Sequence, residues 1–455
     1  MKLVFSLCIL VLFIEANSCL EQSNLTDLIL LKNEELKCKM FKKCRFDVLI
    51  RSDISLDLLS INSSDQSVLK FNRISLCSGQ KCSPKKDFGS LSLNNSMDYQ
   101  IYQVEIQSVL IGKAALDFNL FDQIKINSCP ITITQPRRVI DIVFDIMIYT
   151  FGLMISLLMG ILLDKKCILN IFKIPKAMFI GFFCQYLIMP LLAFSICNIF
   201  GLTPIESLAL FIYGCSPGGA GSNNWTILFG GDLDLSAVLT FVSVLSSMFM
   251  MPFWVYTLGS VFSNKAHIQI PILGLFGNLM ITIVPCITGL ILNIRYPKMK
   301  KFALKVAKPF TLCVLLTFLI LAFVTKFYSF QLLKLRHWIS GPLIPWFGYF
   351  VGGLAAWILR LPFNQVKTVA IETGVQNIGV AFLIIYTNLP SPEADFAALP
   401  IMSVAFLTNM PLYFLLIIVK IYKHFSQDDE DEKNPQEKNV ESGPEIDPMI
   451  TQNKN

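Results

Sequence analysis

Two short stretches in the apolar part of the sequence carry the residue types that bind hard cations. They are residues 214–224, GCSPGGAGSNN, and residues 372–377, ETGVQN. Together they provide hydroxyl, amide, carboxylate and freed backbone oxygens, and neither contains a histidine. Hydroxyl, amide and carboxylate oxygens suit hard cations such as Na⁺ rather than zinc or copper. The two stretches therefore predict a cation site.

Both stretches also interrupt the helices in which they lie. Pro217 removes a backbone hydrogen bond, and the surrounding glycines lower the helix propensity. Irregular backbone at membrane depth is tolerated only where it lines a cavity or is covered by protein. Glu372 is an intramembrane carboxylate, which is expensive and indicates an ion or proton pathway. The plainer alternatives are a kink for close helix packing and a structural acid.

Residues 214–224 and 372–377 lie in a chain with about nine apolar segments. Each segment approaches the roughly 20 residues needed to span a bilayer. Residues 214–224 fall in the third segment and residues 372–377 in the eighth. Broken helices at matching places in two inverted repeats are typical of a transporter site near the membrane midplane. The predicted segments lie at about 139–163, 176–200, 206–229, 235–262, 270–294, 303–325, 340–360, 366–388 and 397–421.

The two ends of the chain predict its orientation in the membrane. Residues 1–18 have a lysine, a short apolar run and a small-residue cleavage pattern, which is typical of a signal peptide. An uncleaved anchor is the alternative. Lysine and arginine are more frequent in the loops predicted to lie inside, in agreement with the positive-inside rule. The predicted domains are then the membrane domain, residues 138–422, and a disordered acidic cytoplasmic tail, residues 423–455.

Residues 19–137 are predicted to form an extracellular domain rich in β-strands. Apolar residues alternate with polar ones, as at Tyr102, Val104 and Ile106, which suggests a small β-sandwich. An even number of cysteines predicts disulfides, although their pairing stays open. The cysteines are Cys19, Cys38, Cys44, Cys77, Cys82 and Cys129. The predicted glycosylation sites are Asn24, Asn62 and Asn94.

Three motifs resemble the bile acid:sodium symporter family over about residues 139–421. The motifs are QYLIMPL at 185–191, the segment from Gly214 to Thr240, and ETGVQN at 372–377. The resemblance implies an all-α polytopic fold with inverted repeats and two crossing discontinuous helices. It also implies a core bundle beside a mobile panel domain. Some branches of the family carry long N-terminal extensions.

The resemblance also implies two sodium sites, carried over residue by residue. The first site consists of Ser222, Asn223, Ser236, Thr240 and Glu372. The second consists of Gln185, Glu372, Gln376 and main-chain oxygens of Thr373 and Val375. Asn224 and Asn377 are the implied substrate-facing residues. Residues 400–406 depart from the substrate-lining pattern of bile-acid carriers, which leaves the anion open.

The function expected from these features is sodium-coupled import of an amphipathic organic anion, such as a bile salt or steroid sulfate, at the plasma membrane. The alternative is a non-transporting receptor or adhesion protein that acts through its ectodomain, for which a protein partner stays open. The sequence offers no nucleophile with a base and no paired acids, so an enzyme is not expected. No cofactor is expected beyond Na⁺ as the coupling ion. Only 15% of residues are charged and the net charge is +6, which does not favour nucleic-acid binding.

Overall fold

The computed structural model is mostly helical, with a small β-sheet region at its N-terminal end. It describes residues 29–31, 36–40, 42–51, 59–66, 68–76, 99–120, 124–135, 138–163, 175–219 and 221–433. The predicted signal peptide, Asn24, Asn94, Cys19, Cys77, Cys82 and most of the acidic tail lie outside the described residues.

The N-terminal β domain contains two four-stranded sheets with strand orders β1-β3-β6-β5 and β2-β8-β7-β4. All neighbours are antiparallel except β2 and β8, which are parallel. The strands are β1 Ile29–Leu31, β2 Leu36–Lys39, β3 Lys43–Arg51, β4 Leu59–Ser63, β5 Leu69–Leu76, β6 Tyr99–Ser108, β7 Gly112–Leu120 and β8 Ile124–Thr134.

Side chains from both sheets share one hydrophobic core, as the alternating pattern predicts. On β6, Val104 and Ile106 are fully buried and Tyr102 is nearly so. Glu105 of the same strand is also buried, and Arg45 Nε donates to its carboxylate at 2.8 Å. A buried carboxylate requires such a partner.

The described cysteines of the β domain are Cys38, Cys44 and Cys129, which are free thiols in the structure. All three pack in or against the same core. Burial raises the pKa of the Cys129 thiol to about 11. Asn62 is exposed on β4, which is the last strand of its sheet. An exposed side chain of this kind is open to a modifying enzyme.

The remaining elements among the described residues are helices. The helices are α1 Val139–Leu162, α2 Pro175–Phe183, α3 Met189–Ile199, α4 Pro204–Gly214, α5 Ser222–Leu228, α6 Leu233–Tyr256, α7 Gly259–Ala266, α8 Ile272–Arg295, α9 Lys298–Leu332, α10 Leu335–Ile358, α11 Phe363–Gly374, α12 Ile378–Asn388, α13 Glu393–Leu407 and α14 Met410–Lys433. A π-helical turn, Cys184–Ile188, joins α2 to α3 without a break.

Six helical segments within the described residues are long and apolar enough to cross a membrane. They are Val139–Leu162, Pro175–Ile199, Leu233–Tyr256, Ile272–Arg295, Leu335–Ile358 and Glu393–Ile421. The third and eighth predicted segments are each divided between two short helices, α4 and α5, and α11 and α12. The sixth lies inside α9, which covers 35 residues and has a kink at Lys326, where φ is −114° and ψ is 23°. The chain is therefore a multi-pass membrane protein, while the count of nine spans stays a prediction.

The chain divides into two compact units, each built from segments that are distant in sequence. The first contains Met1–Ile148, Leu316–Leu332 and Tyr386–Phe396, and the second contains Tyr149–Leu315, Leu333–Ile385 and Ala397–Asn455. The end of α9 and the connection from α12 to α13 thus belong with the β domain. The sequence does not predict this association, because the three segments are far apart along the chain.

Candidate functional site

The two interrupted segments meet where their helices break. Gly218 and Gln376 form an isolated antiparallel bridge. The Gly219 N–H donates to the Val375 carbonyl, and the Asn377 N–H donates to the Pro217 carbonyl, both at 2.8 Å. These hydrogen bonds satisfy backbone groups that the helix breaks would leave unpaired in a membrane protein. The structure therefore brings the two predicted stretches together.

Close backbone approach at this point requires glycine. A Cβ on Gly219 would lie 2.8 Å from the Gln376 carbonyl oxygen, which is a clash with backbone. A Cβ on Gly218 would lie 3.2 Å from Ser243 Oγ and 3.3 Å from a Glu372 carboxylate oxygen. The glycines of residues 214–224 thus allow the crossing itself, in addition to weakening the helix.

Glu372 lies in the last turn of α11, beside the crossing, and its side chain is buried, with only 5% of the residue exposed. Two hydroxyls of α6 donate to its carboxylate: Ser236 Oγ to Oε1 and Thr240 Oγ1 to Oε2, the latter at 2.8 Å. Ser236 and Thr240 lie one helical turn apart, so both face the same side of α6. The carboxylate is thereby held by α6 in a fixed orientation.

Ser222 and Asn223, the other residues of the implied first sodium site, lie next to Thr240 and Ser236. Ser222 Oγ donates to the Gly219 carbonyl at 2.8 Å and lies 3.5 Å from Thr240 Oγ1. Asn223 Oδ1 lies 2.7 Å from Ser236 Oγ. Ser222 is fully buried, whereas Asn223 is half-buried. The structure thus links all five residues through hydroxyl, amide and carboxylate oxygens.

The two glutamines of the implied second site donate to main-chain carbonyls of residues 214–224. Gln185 lies in the π-helical turn, and its Nε2 donates to the Ser216 carbonyl at 2.8 Å. Single π-helical turns occur frequently at functional sites. Gln376 Nε2 donates to the Gly214 carbonyl at 3.2 Å. Its Oε1 is buried and accepts no hydrogen bond among the described residues.

Val375 and Thr373, the two residues that contribute main-chain oxygens to this second set, are both hydrogen-bonded within the protein. The Val375 carbonyl accepts from the Gly219 N–H, so one of its lone pairs is engaged. Thr373 is buried, and its hydroxyl donates to the Val369 carbonyl at 2.8 Å. A carbonyl oxygen has two lone pairs, so a hydrogen-bonded carbonyl retains capacity for a cation.

Charge distinguishes this site from an ordinary hydrogen-bonded cluster. Among the described residues, no lysine, arginine or histidine forms an ion pair with Glu372. Its partners are neutral hydroxyls. A buried carboxylate without a positive partner is costly in free energy. A bound cation would supply the missing positive charge.

Sequence reasoning missed Ser243 and Thr226. Ser243 Oγ accepts from the Gly218 N–H at 3.0 Å and lines a small cavity with Gln185 and Glu372. Thr226 Oγ1 donates to Ser236 Oγ at 3.2 Å. Helical spacing could have revealed Ser243, since it follows Ser236 and Thr240 on the same face of α6.

The two predicted substrate-facing residues differ in exposure. Asn224 is exposed on α5, and Asn377 is half-buried after the crossing. Asn377 Oδ1 accepts from the Val380 N–H at 3.2 Å, so its side chain caps the first turn of α12. Neither residue takes part in the hydroxyl cluster around Glu372.

The part of the chain that contains residues 214–224 is similar to known proteins. Residues 148–331 match the model of the sodium bile acid symporter family. The ileal sodium/bile acid cotransporter of Oryctolagus cuniculus is 30% identical over 266 residues, which are 58% of this chain and 76% of the relative. The chain belongs to the sodium bile acid symporter family. The family is one of transporters.

Two other relatives show the range of similarity. The hepatic sodium/bile acid cotransporter of Rattus norvegicus is 31% identical over 250 residues, covering 53% of this chain and 68% of the relative. The P3 protein of Homo sapiens is 29% identical over 319 residues, covering 65% of this chain and 66% of the relative. The family assignment confirms the resemblance that the three motifs indicate.

Proposed function

We propose that this protein is a sodium-coupled symporter that imports an amphipathic organic anion by alternating access. The observation that carries the proposal is Glu372, a buried carboxylate held by two hydroxyls at the crossing of two broken helices and lacking a basic partner among the described residues. The similarity to sodium/bile acid cotransporters supports sodium as the coupling ion and a bile acid as one candidate anion.

The first proposed sodium site consists of Ser222, Asn223, Ser236, Thr240 and Glu372. The hydroxyls of Ser236 and Thr240 donate hydrogen bonds to the carboxylate oxygens of Glu372. On binding, Na⁺ would take the lone pairs of the same hydroxyls, since a hydroxyl both donates and accepts. The carboxylate supplies the full negative charge that a cation needs at low dielectric.

The second proposed site consists of Gln185, Glu372, Gln376 and main-chain oxygens of Thr373 and Val375. Gln376 Oε1 supports it most directly, because this buried oxygen accepts no hydrogen bond among the described residues. Leaving a buried acceptor unpaired costs free energy. A cation at this place would be coordinated by that oxygen.

The anion is proposed to bind near Asn224 and Asn377, which lie beside the two helix breaks. In inverted-repeat transporters such half-helix ends face the substrate at the midplane. Two Na⁺ carried with one monovalent anion would move one net positive charge inward. That movement yields about 2.3 kcal/mol per 100 mV of membrane potential.

The proposed topology completes this picture. Nine spans with inverted repeats place residues 19–137 outside and residues 423–455 inside, in the plasma membrane. Two interrupted segments, each divided between a pair of short helices, support the repeat assignment. The signal peptide and the distribution of Lys and Arg in the sequence support the orientation.

The test is uptake of labelled taurocholate and of a labelled steroid sulfate in cells that express the protein, in sodium and then in choline medium. We expect sodium-dependent uptake of at least one anion. Glu372→Gln should remove that uptake while surface biotinylation shows normal delivery, because the amide has no charge to hold Na⁺. Sodium-dependent uptake retained by Glu372→Gln would contradict the assignment of this residue.

A non-transporting receptor predicts a different result. Under that alternative, replacement of Thr240 and Gln376 together by alanine leaves the protein's activity unchanged, since both lie in the membrane segments. Absence of uptake for a broad panel of organic anions, together with no effect of sodium on the purified protein, would favour the receptor.

A further inference from the structure

The β domain does not complete its hydrophobic core with its own residues alone. Tyr328 of α9 is buried in that core, and Leu332 and Phe396 pack against it. A Cβ on Gly112 of β7 would lie 3.7 Å from the Phe396 ring, so the two are close neighbours. The β domain therefore packs against two segments that are distant from it in sequence, the end of α9 and residues 386–396.

Polar contacts fasten the same two segments to the β domain. Lys113 Nζ on β7 lies 2.5 Å from a Glu393 carboxylate oxygen. Gln135, which follows β8, donates from Nε2 to the Thr325 carbonyl at 3.2 Å, and Arg138 donates to the same carbonyl at 3.1 Å. We call these contacts, together with the packing of Tyr328 and Phe396, the clamp.

Beneath the β domain, the two clamped segments are joined to each other by a buried ion pair. Lys326 Nζ lies 2.8 Å from Asp395 Oδ1, and their side chains are only 16% and 4% exposed. The Tyr328 hydroxyl donates to the same Oδ1 at 2.7 Å. Tyr328 thus has its ring in the core of the β domain and its hydroxyl on the ion pair of the membrane domain.

The clamped segment 386–396 begins in the helix that follows the crossing. α12 starts at Ile378, directly after Asn377, and runs to Asn388. At 1.5 Å per residue its 11 residues span about 16 Å. Tyr386, near its end, lies under the Lys326 ammonium, which is 4.6 Å from the ring centroid. A shift of the crossing segments would therefore be carried along a rigid helix to the clamp.

We propose that the β domain is a control element of the transporter: the clamp holds the end of α9 and residues 386–396 together in one state of the transport cycle and releases for the other. This inference rests on the proposed function. The Lys113–Glu393 contact suits a releasable interface, because Lys113 is 64% exposed and surface ion pairs contribute little. The buried Lys326–Asp395 pair suits a discrete two-state contact, since a broken buried pair is costly.

The test is a reversible cross-link across the clamp. The double variant Lys113→Cys with Glu393→Cys is expressed in full length and treated with a short bis-methanethiosulfonate reagent, which spans the distance that the two long side chains bridge, and peptide mass spectrometry verifies the cross-link. Sodium-dependent uptake should fall at least fivefold on cross-linking and return after reduction. Wild type and the single variant Lys113→Cys, taken through the same treatment and reduction, are the controls. Unchanged uptake in the cross-linked protein would overturn the proposal.

A second variant avoids cysteine chemistry. Tyr328→Phe retains the ring in the β-domain core but removes the hydroxyl that donates to Asp395. We expect the sodium concentration for half-maximal uptake to change at least threefold, and the sodium-induced shift in melting temperature of the purified protein to change with it. Tyr296→Phe, at an exposed tyrosine, is the matched control and should behave as wild type.

The two proposals fail in different ways. Wild-type protein that responds neither to organic anions nor to sodium overturns the proposed function. Wild-type protein with normal sodium-dependent uptake, whose sodium response is unchanged in Tyr328→Phe and after cross-linking, overturns the clamp alone.

Discussion

The hydroxyl of Thr240 donates a 2.8 Å hydrogen bond to the carboxylate of Glu372, although 132 residues separate the two along the chain. Thr240 also donates to the Ser236 carbonyl at 2.9 Å. One hydroxyl proton is thus shared between a helix carbonyl and a buried charge. The contact connects α6 to the end of α11 and positions the carboxylate at the crossing.

Thr240→Ala should weaken sodium binding without unfolding the protein. The change removes a hydroxyl oxygen from the proposed first site and a donor from Glu372, and hydrogen bonds to charged groups contribute about 1.5–3 kcal/mol. We expect the sodium concentration for half-maximal uptake to rise roughly tenfold or more. Thr288→Ala removes an exposed hydroxyl from α8 and should leave the sodium dependence unchanged. Equal sodium dependence in both variants would contradict the role given to Thr240.

Glu372→Gln should remove sodium binding without lowering the melting temperature of the protein. Without sodium, the variant should melt at the wild-type temperature or above it, because a buried charge without a basic partner has been removed. Added NaCl, compared with choline chloride at equal ionic strength, should raise the melting temperature of wild type only, since a ligand stabilises the state that binds it. A sodium-induced shift of wild-type size in the variant would argue against a site at Glu372.

Gly219→Ala should disrupt the crossing. The new Cβ would meet the Gln376 carbonyl oxygen at 2.8 Å, and backbone on both sides prevents an easy adjustment. We expect loss of nearly all sodium-dependent uptake and a lower melting temperature. Gly277→Ala on α8 adds a methyl group where the structure has open space, and it should transport normally. Normal uptake by Gly219→Ala would show that the crossing tolerates separation.

Asn62 should carry an N-linked glycan if the β domain lies outside the cytosol. Its side chain is exposed on β4, within the sequence Asn62-Ser63-Ser64. Enzymatic deglycosylation should reduce the apparent mass of the wild-type protein, and Asn62→Gln should reduce the size of that change. Asn72→Gln alters an exposed asparagine outside any glycosylation sequence and should have no effect. An unglycosylated Asn62 in protein purified from animal cells would count against the proposed orientation.

Part of the site could be predicted from residue types alone. The glycines around Pro217 and the carboxylate of Glu372 are out of place in ordinary membrane helices, so their chemistry is visible in the sequence. Ser236 and Thr240 could be added only through the family resemblance, because serine and threonine are common in apolar helices and do not by themselves indicate a site. Ser243 was missed for that reason, although its spacing on α6 matches theirs.

The sequence by itself determined the apolar segments, the interrupted helices and the alternating strands, because these depend on local composition and on periods of 2 and 3.6 residues. Only the tertiary structure decided that Gly218 pairs with Gln376, that Glu105 is buried against Arg45, and that Tyr328 completes the core of the β domain. Each of these contacts joins residues that are distant along the chain. Such contacts depend on packing between elements, and no local pattern specifies which distant side chain will be the partner.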